Sequence, residues 1–227
     1  MDIKLLTAAA AAALTLAVSA PVSAATYLFD SVGDQFVIDF NGFNTTNGAI
    51  PGLSAEVTYT LTGFSGNSAT FSYIVDNTST APVTSSRIST FGFNVDPNFT
   101  SVGTVTGAVF PGVSNGNLPD ALPNVEFCLT AGPNCTGGGG GGVNLADPNA
   151  VGTFVLNFAA QPASVTFSDV YVRYQSINAP GIEGGSGVGI PTNGVVPEPA
   201  TWAMMLTGFF GMGSVLRAQR RRRAIAA

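Results

Sequence analysis

The chain has 227 residues with 45% hydrophobic content, only 9% charged residues and no histidine. Its only lysine is Lys4, so residues 25–196 hold two arginines, Arg87 and Arg173, against eleven acids, a net charge of −9. Such a body repels nucleic acid and anionic lipid. It also excludes Ser-His-Asp and Cys-His machinery and lysine Schiff bases.

At the N-terminus, Lys4 precedes an apolar run from Leu5 to Val18, which Pro21 breaks before Val22-Ser23-Ala24. A basic start, an apolar centre and small residues at a cleavage point form the tripartite export pattern. The run of 14 residues is short for a bilayer core of roughly 30 Å. The expectation is a signal peptide over residues 1–24, cut by signal peptidase after Ala24, with Ala25 as the alternative. A buried N-terminal helix is the competing reading.

Residues 25–180 carry period-two patterns. Val57-Thr58-Tyr59-Thr60-Leu61-Thr62 alternates apolar residues with threonine, and Ala69 to Val75 repeats the pattern before Asp76-Asn77 ends it. Gln35–Phe40, Ile88–Val95, Val102–Phe110, Thr153–Phe158 and Val165–Tyr174 are further strand candidates. Turn signals separate them at Asn47-Gly48, Gly66-Asn67, Asp96-Pro97, Asn115-Gly116 and Gln161-Pro162. Outside the two ends no helical period stands out. The fold class expected is all-β, an antiparallel β-sandwich or jelly roll, with a signal helix before it and a transmembrane helix after it.

Cys128 and Cys135 are the only cysteines, and export with an even count predicts a disulfide between them. The run Gly137–Gly142 lacks the interleaved acids of a Ca²⁺-binding glycine repeat and the Lys-Ser/Thr of a phosphate loop, and reads as a flexible surface loop. Asp76, Asp96 and Asp147 sit in Asn/Pro-rich turns, where solvated turn residues are a better reading than Ca²⁺ ligands. A carboxylate-pair glycosidase needs only two acids. Asp30, Asp34, Asp39, Glu56 and Asp169 show no catalytic spacing, so no enzyme, catalytic residue, metal or cofactor is expected. Gly181–Val196 is Gly-rich and unpatterned, and reads as a linker over residues 181–196.

The C-terminal 31 residues, 197–227, differ in kind. Val196-Pro197-Glu198-Pro199 holds its backbone extended, so no helix begins before Ala200. Ala200–Leu216 then runs 17 residues without a charge, a helix of about 26 Å at the short limit of a membrane span. Trp202 suits one interface, and Arg217, Arg220, Arg221, Arg222 and Arg223 hold the other end in the cytoplasm. Ala203, Thr207 and Gly211 recur every fourth residue on a face that permits close helix approach. A plain membrane anchor explains the hydropathy alone.

Pro197-Glu198-Pro199-Ala200-Thr201-Trp202-Ala203, the apolar stretch and the arginine run together resemble the PEP-CTERM sorting signal in its PEPxxWA form. That resemblance implies recognition by exosortase, a membrane-embedded processing enzyme of Gram-negative bacteria that make exopolysaccharide and biofilm. The sorting residues it implies are Pro197, Glu198, Pro199 and Trp202, with the five arginines as the membrane stop. Through Gly33-Asp34-Gln35-Phe36 and the segment from Cys128 to Gly142, the body resembles the cistern family of PEP-CTERM proteins. The function expected is that of an exported, exosortase-processed surface or matrix protein, structural or adhesive and associated with exopolysaccharide. It would be anchored transiently in the inner membrane through residues 200–216. The alternative is a carbohydrate- or ice-binding β-sandwich module, for which Thr58, Thr60 and Thr62 offer an outward threonine row.

Overall fold

The computed structural model describes residues 25–120 and 122–192. The expected signal segment with Ala24, the expected sorting motif, the apolar stretch 200–216 and the arginine run lie outside the described residues. Ala25 opens the described chain, partly buried against the core.

Twelve strands follow in order: β1 (Tyr27–Phe29), β2 (Gln35–Asn44), β3 (Gly48–Ser65), β4 (Ser68–Asp76), β5 (Ser85–Asp96), β6 (Phe99–Thr106), β7 (Gly112–Asn117), β8 (Asn124–Thr130), β9 (Val143–Asn144), β10 (Ala150–Phe158), β11 (Val165–Ala179) and β12 (Ile182–Gly189). The described residues contain no helix. All pairings are antiparallel, in a single sheet ordered β6-β10-β4-β3-β2-β12-β11-β5-β8-β7, with β1 added on β11 and β9 on β5.

The alternation seen in the sequence sets the inner face. Val57, Tyr59 and Leu61 on β3 and Ala69, Phe71, Tyr73 and Val75 on β4 are buried, with the residues between them turned outward. The sheet curls so that its inner face meets itself. Phe71 on β4 lies 4.9 Å from Phe167 on β11, Tyr59 on β3 lies 5.4 Å from Phe93 on β5, and Phe154 on β10 lies 5.0 Å from Phe127 on β8. Each such ring withdraws enough apolar surface to contribute ~1.5–3 kcal/mol, and each favourable ring pair adds ~0.5–1.5 kcal/mol.

The join between β2 and β12 is thin, with one register pair, Val188↔Phe43, extended by an isolated bridge between Phe40 and Pro191. Here the structure corrects part of the linker expected over 181–196, whose last residues, 193–196, lie outside the described residues. Residues 182–189 form a strand inside the sheet, between β11 and β2. Glycine is required there by close packing: a Cβ on Gly187 would stand 2.7 Å from the Phe43 carbonyl oxygen, and one on Gly189 would meet Val172. With glycine at four of its eight positions, 184, 185, 187 and 189, the strand has too few side chains for an apolar alternation to show in the sequence.

The turn expected at Asn115-Gly116 lies within β7 instead, at a register shift between Ser114 and Gly116, where Gly116 has φ 117°. The turns at Asn47-Gly48 and Gly66-Asn67 join paired strands, β2 to β3 and β3 to β4, whereas Asp96-Pro97 joins β5 to β6, which do not pair with each other.

Candidate functional surfaces

Cys128 and Cys135 form a buried disulfide with a Cα–Cα distance of 5.9 Å. Cys128 lies on the face of β8 opposite Phe127 and Leu129, in a second small cluster with Leu118, Val125 and Tyr171. The disulfide fixes the start of the loop that carries Gly137–Gly142. That glycine run is laid against the sheet: Gly137 packs on Ser89 and Gln175, and Gly142 on the Ile88 carbonyl.

Both arginines of the body lie under this region, each only 7% exposed. Arg87 donates from Nη1 to the Gly141 carbonyl and from Nη2 to Oε1 of Gln175 at 3.0 Å. Arg173 donates from Nε to the Thr136 carbonyl at 3.2 Å, and from Nη1 to the Gly187 carbonyl at 3.0 Å and to Oδ2 of Asp120 at 3.1 Å. Burial pulls the Arg173 guanidinium below its ordinary range, and Asp120 opposes that pull. With both cations buried, the exposed ionisable side chains of the described residues are acids.

The outer face of β2, β3, β4, β10 and β6 is ordered into rows by the strand register. Gln35, Thr60, Ser72, Thr153 and Thr106 stand side by side across five strands. Gln35 donates from Nε2 to Thr60 Oγ1 at 2.9 Å, and the Thr106 and Thr153 hydroxyls share a hydrogen bond of 2.8 Å. The next row is Val37, Thr58, Ile74 and Val151. Ile74 is 40% and Val151 62% exposed, while Thr58 is only 8% exposed. The row after that sets Asp39 opposite Glu56 and Glu56 opposite Asp76, a like-charge alignment that costs stability and repels anions.

The expected threonine row on β3 is therefore altered. Thr58 is buried, Thr60 is occupied by Gln35, and a register shift between Leu61 and Gly63 leaves Thr62 exposed with its hydroxyl donating to the Thr70 carbonyl. The wider Ser/Thr row across the sheet depends on pairings distant in the chain, and no local pattern announces it.

Asp34 and Asp147 act as turn residues. Asp34 Oδ2 accepts the backbone N–H groups of Asp30 and Ser31, and Asp147 Oδ2 accepts the backbone and side-chain N–H of Asn144; these bonds lower both carboxyl pKa values. Asp169, in a left-handed conformation with φ 48°, accepts from Asn94 and from the Tyr171 hydroxyl. Among the described residues no three of His, Cys, Asp and Glu converge as metal ligands. A cleft of about 480 Å³ lies where Pro82, Pro180 and Ile182 meet beside Asn178 and Glu183.

No family model matches the chain, and no curated protein and no solved structure is significantly similar to it.

Proposed function

We propose that this is an exported surface or extracellular-matrix protein, processed by signal peptidase at its N-terminus and by exosortase at its C-terminus, with a non-catalytic body of the β-sandwich or jelly-roll kind. The observation that carries the reading is the conjunction, within 31 residues, of Pro197-Glu198-Pro199 with Trp202, a chargeless stretch over 200–216 and the run Arg217, Arg220–Arg223. The prolines present extended backbone to a protease at the outer membrane surface, and the apolar stretch sets its depth. The arginines keep the far end in the cytoplasm. A disulfide in the body suits an oxidising compartment. The exposed acids favour solubility outside the cell and repel anionic polymers, which leaves association with neutral exopolysaccharide.

The test is a blot of membrane and culture fractions for Glu198→Ala and Pro199→Ala, beside a strain lacking exosortase. Export should persist while release stops, leaving a full-length form in the inner membrane. Release of Glu198→Ala protein at the wild-type size and rate would reduce the tail to an anchor.

A further inference from the structure

We infer that the outer face of β2, β3, β4, β10 and β6 is a binding surface for a neutral polysaccharide chain lying across the strands. This deepens the matrix reading above and rests on it for the setting in which such a polymer is met.

Two adjacent rows carry the inference. One is polar and uncharged: Gln35, Thr60, Ser72, Thr153 and Thr106. At a strand spacing of roughly 4.8 Å it extends about 19 Å across the sheet. Each hydroxyl retains hydrogen-bonding capacity beyond its partner within the row, since a hydroxyl offers one donor and two acceptor sites. The other row is apolar, with Val37, Ile74 and Val151 around the buried Thr58. Three of the exposed large aliphatic residues of the described chain thus fall in one line on one face.

A polysaccharide ribbon has the matching pair of surfaces, hydroxyl-bearing edges and flatter C–H faces. Its sugars repeat on the same length scale as neighbouring strands, so successive sugars meet a polar side chain on each strand and an aliphatic contact on β2, β4 and β10. Charge selects among occupants. The third row, Asp39-Glu56-Asp76, borders the apolar one, and the two cations that would offset the acids are buried elsewhere. An anionic polymer is repelled, and so is a second copy of a body carrying −9. An uncharged polyhydroxylated chain meets neither penalty.

The experiment uses the mature protein as released from cells, with an insoluble β-glucan, an insoluble α-glucan and a galactomannan as neutral probes and alginate as the anionic one. Co-sedimentation or affinity electrophoresis should show binding to at least one neutral polymer and none to alginate. The double variant Ile74→Asp with Val151→Asp should weaken that binding by about tenfold or more, with circular dichroism and the unfolding midpoint near wild type. Val113→Asp, an exposed aliphatic on edge strand β7, should bind as wild type. If the double variant folds poorly, Val151→Asp alone carries the same comparison. Failure of all three neutral polymers to bind, equal loss in Val113→Asp, or preference for alginate would overturn the inference. So would a wild-type dimer that Val151→Asp dissociates, which would assign the face to self-association. None of these outcomes touches the processing blot, so the two readings fail separately.

Discussion

Asp120 and Arg173 form an ion pair of 3.1 Å that ties three parts of the sheet together. Asp120, at φ 65° between β7 and β8, accepts the backbone N–H and the hydroxyl of Thr45 on Oδ1 while Oδ2 takes Arg173. The β2–β3 turn is thereby fastened to β11 past the glycine strand β12, where the ladder itself is thinnest. The side chains of both partners are largely shielded from water, so loss of one leaves the other as an uncompensated buried charge.

Asp120→Ala should therefore destabilise the body by ~3–5 kcal/mol, and Asp120→Asn by a comparable amount, since the amide keeps the Thr45 contacts but not the charge. In thermal unfolding followed by circular dichroism this corresponds to a fall of ~6–20 °C. A loss below about 1 kcal/mol, the range of a solvent-screened pair, would show that the pair is not the tie described.

All five tyrosines are buried, and burial raises every one of their pKa values: Tyr27, Tyr73 and Tyr171 to about 12, Tyr59 and Tyr174 well above the ordinary 10.0. Asp39 adds to the shift of Tyr27, and Asp169 to that of Tyr171. The hydroxyls of Tyr59 and Tyr174 are buried with no hydrogen-bond partner, which penalises the phenolate further. A raised folded-state value means that the tyrosines contribute their full stability below pH 10 and lose it as pH rises from 10 toward 12. Tyrosinate absorbance should stay flat through pH 10 and then rise together with loss of strand signal. A fraction titrating near pH 10 in folded protein would contradict this burial.

Reduction of Cys128–Cys135 should cost ~2–3 kcal/mol through loop closure alone. It should also loosen the segment whose Thr136 and Gly141 carbonyls receive the two arginines. Unreduced native protein should be two hydrogens lighter than its reduced form and unreactive to alkylation. A Cys128→Ala, Cys135→Ala variant should unfold at lower denaturant with an unchanged m-value. Two freely alkylated thiols in unreduced protein would remove the bridge from the molecule in solution.

The strands that were legible in sequence are those with side chains to alternate, such as β3 from Val57 to Leu61 and β4 from Ala69 to Val75. β12 was not, because glycine at 184, 185, 187 and 189 leaves too few side chains for an apolar alternation to show, while close packing accommodates those glycines in a strand. Nor was the role of Asn77 legible beyond a turn signal. In the fold it is buried, donating to the Ser86 and Val143 carbonyls and accepting from the Ser86 hydroxyl, partners that only the folded chain assembles. The Ser/Thr row across β2 to β6 belongs to the same class. Each residue looks like an ordinary exposed strand position, and only the register between distant segments makes them one surface. The disulfide was legible because two cysteines allow one pairing.

Trp202 gives the proposed processing an optical test, because it is the sole tryptophan and lies just beyond Pro197-Glu198-Pro199. Cleavage at the motif on its N-terminal side separates the body from all indole. Protein collected from the medium should then show tyrosine emission only, while the full-length form held in an exosortase-deficient membrane should show tryptophan emission. Deleting Arg217–Arg223 acts on a different step. In the proposed topology it removes the charges that would hold the tail in the cytoplasm, so part of the protein should slip through uncut and reach the periplasm or medium with its tryptophan signal. The arginine deletion and the Glu198→Ala change are thus expected to differ in location while sharing the retained indole. Tryptophan emission from the wild-type released protein would mean that the chain leaves the membrane with its tail intact, and exosortase processing upstream of Trp202 would be wrong.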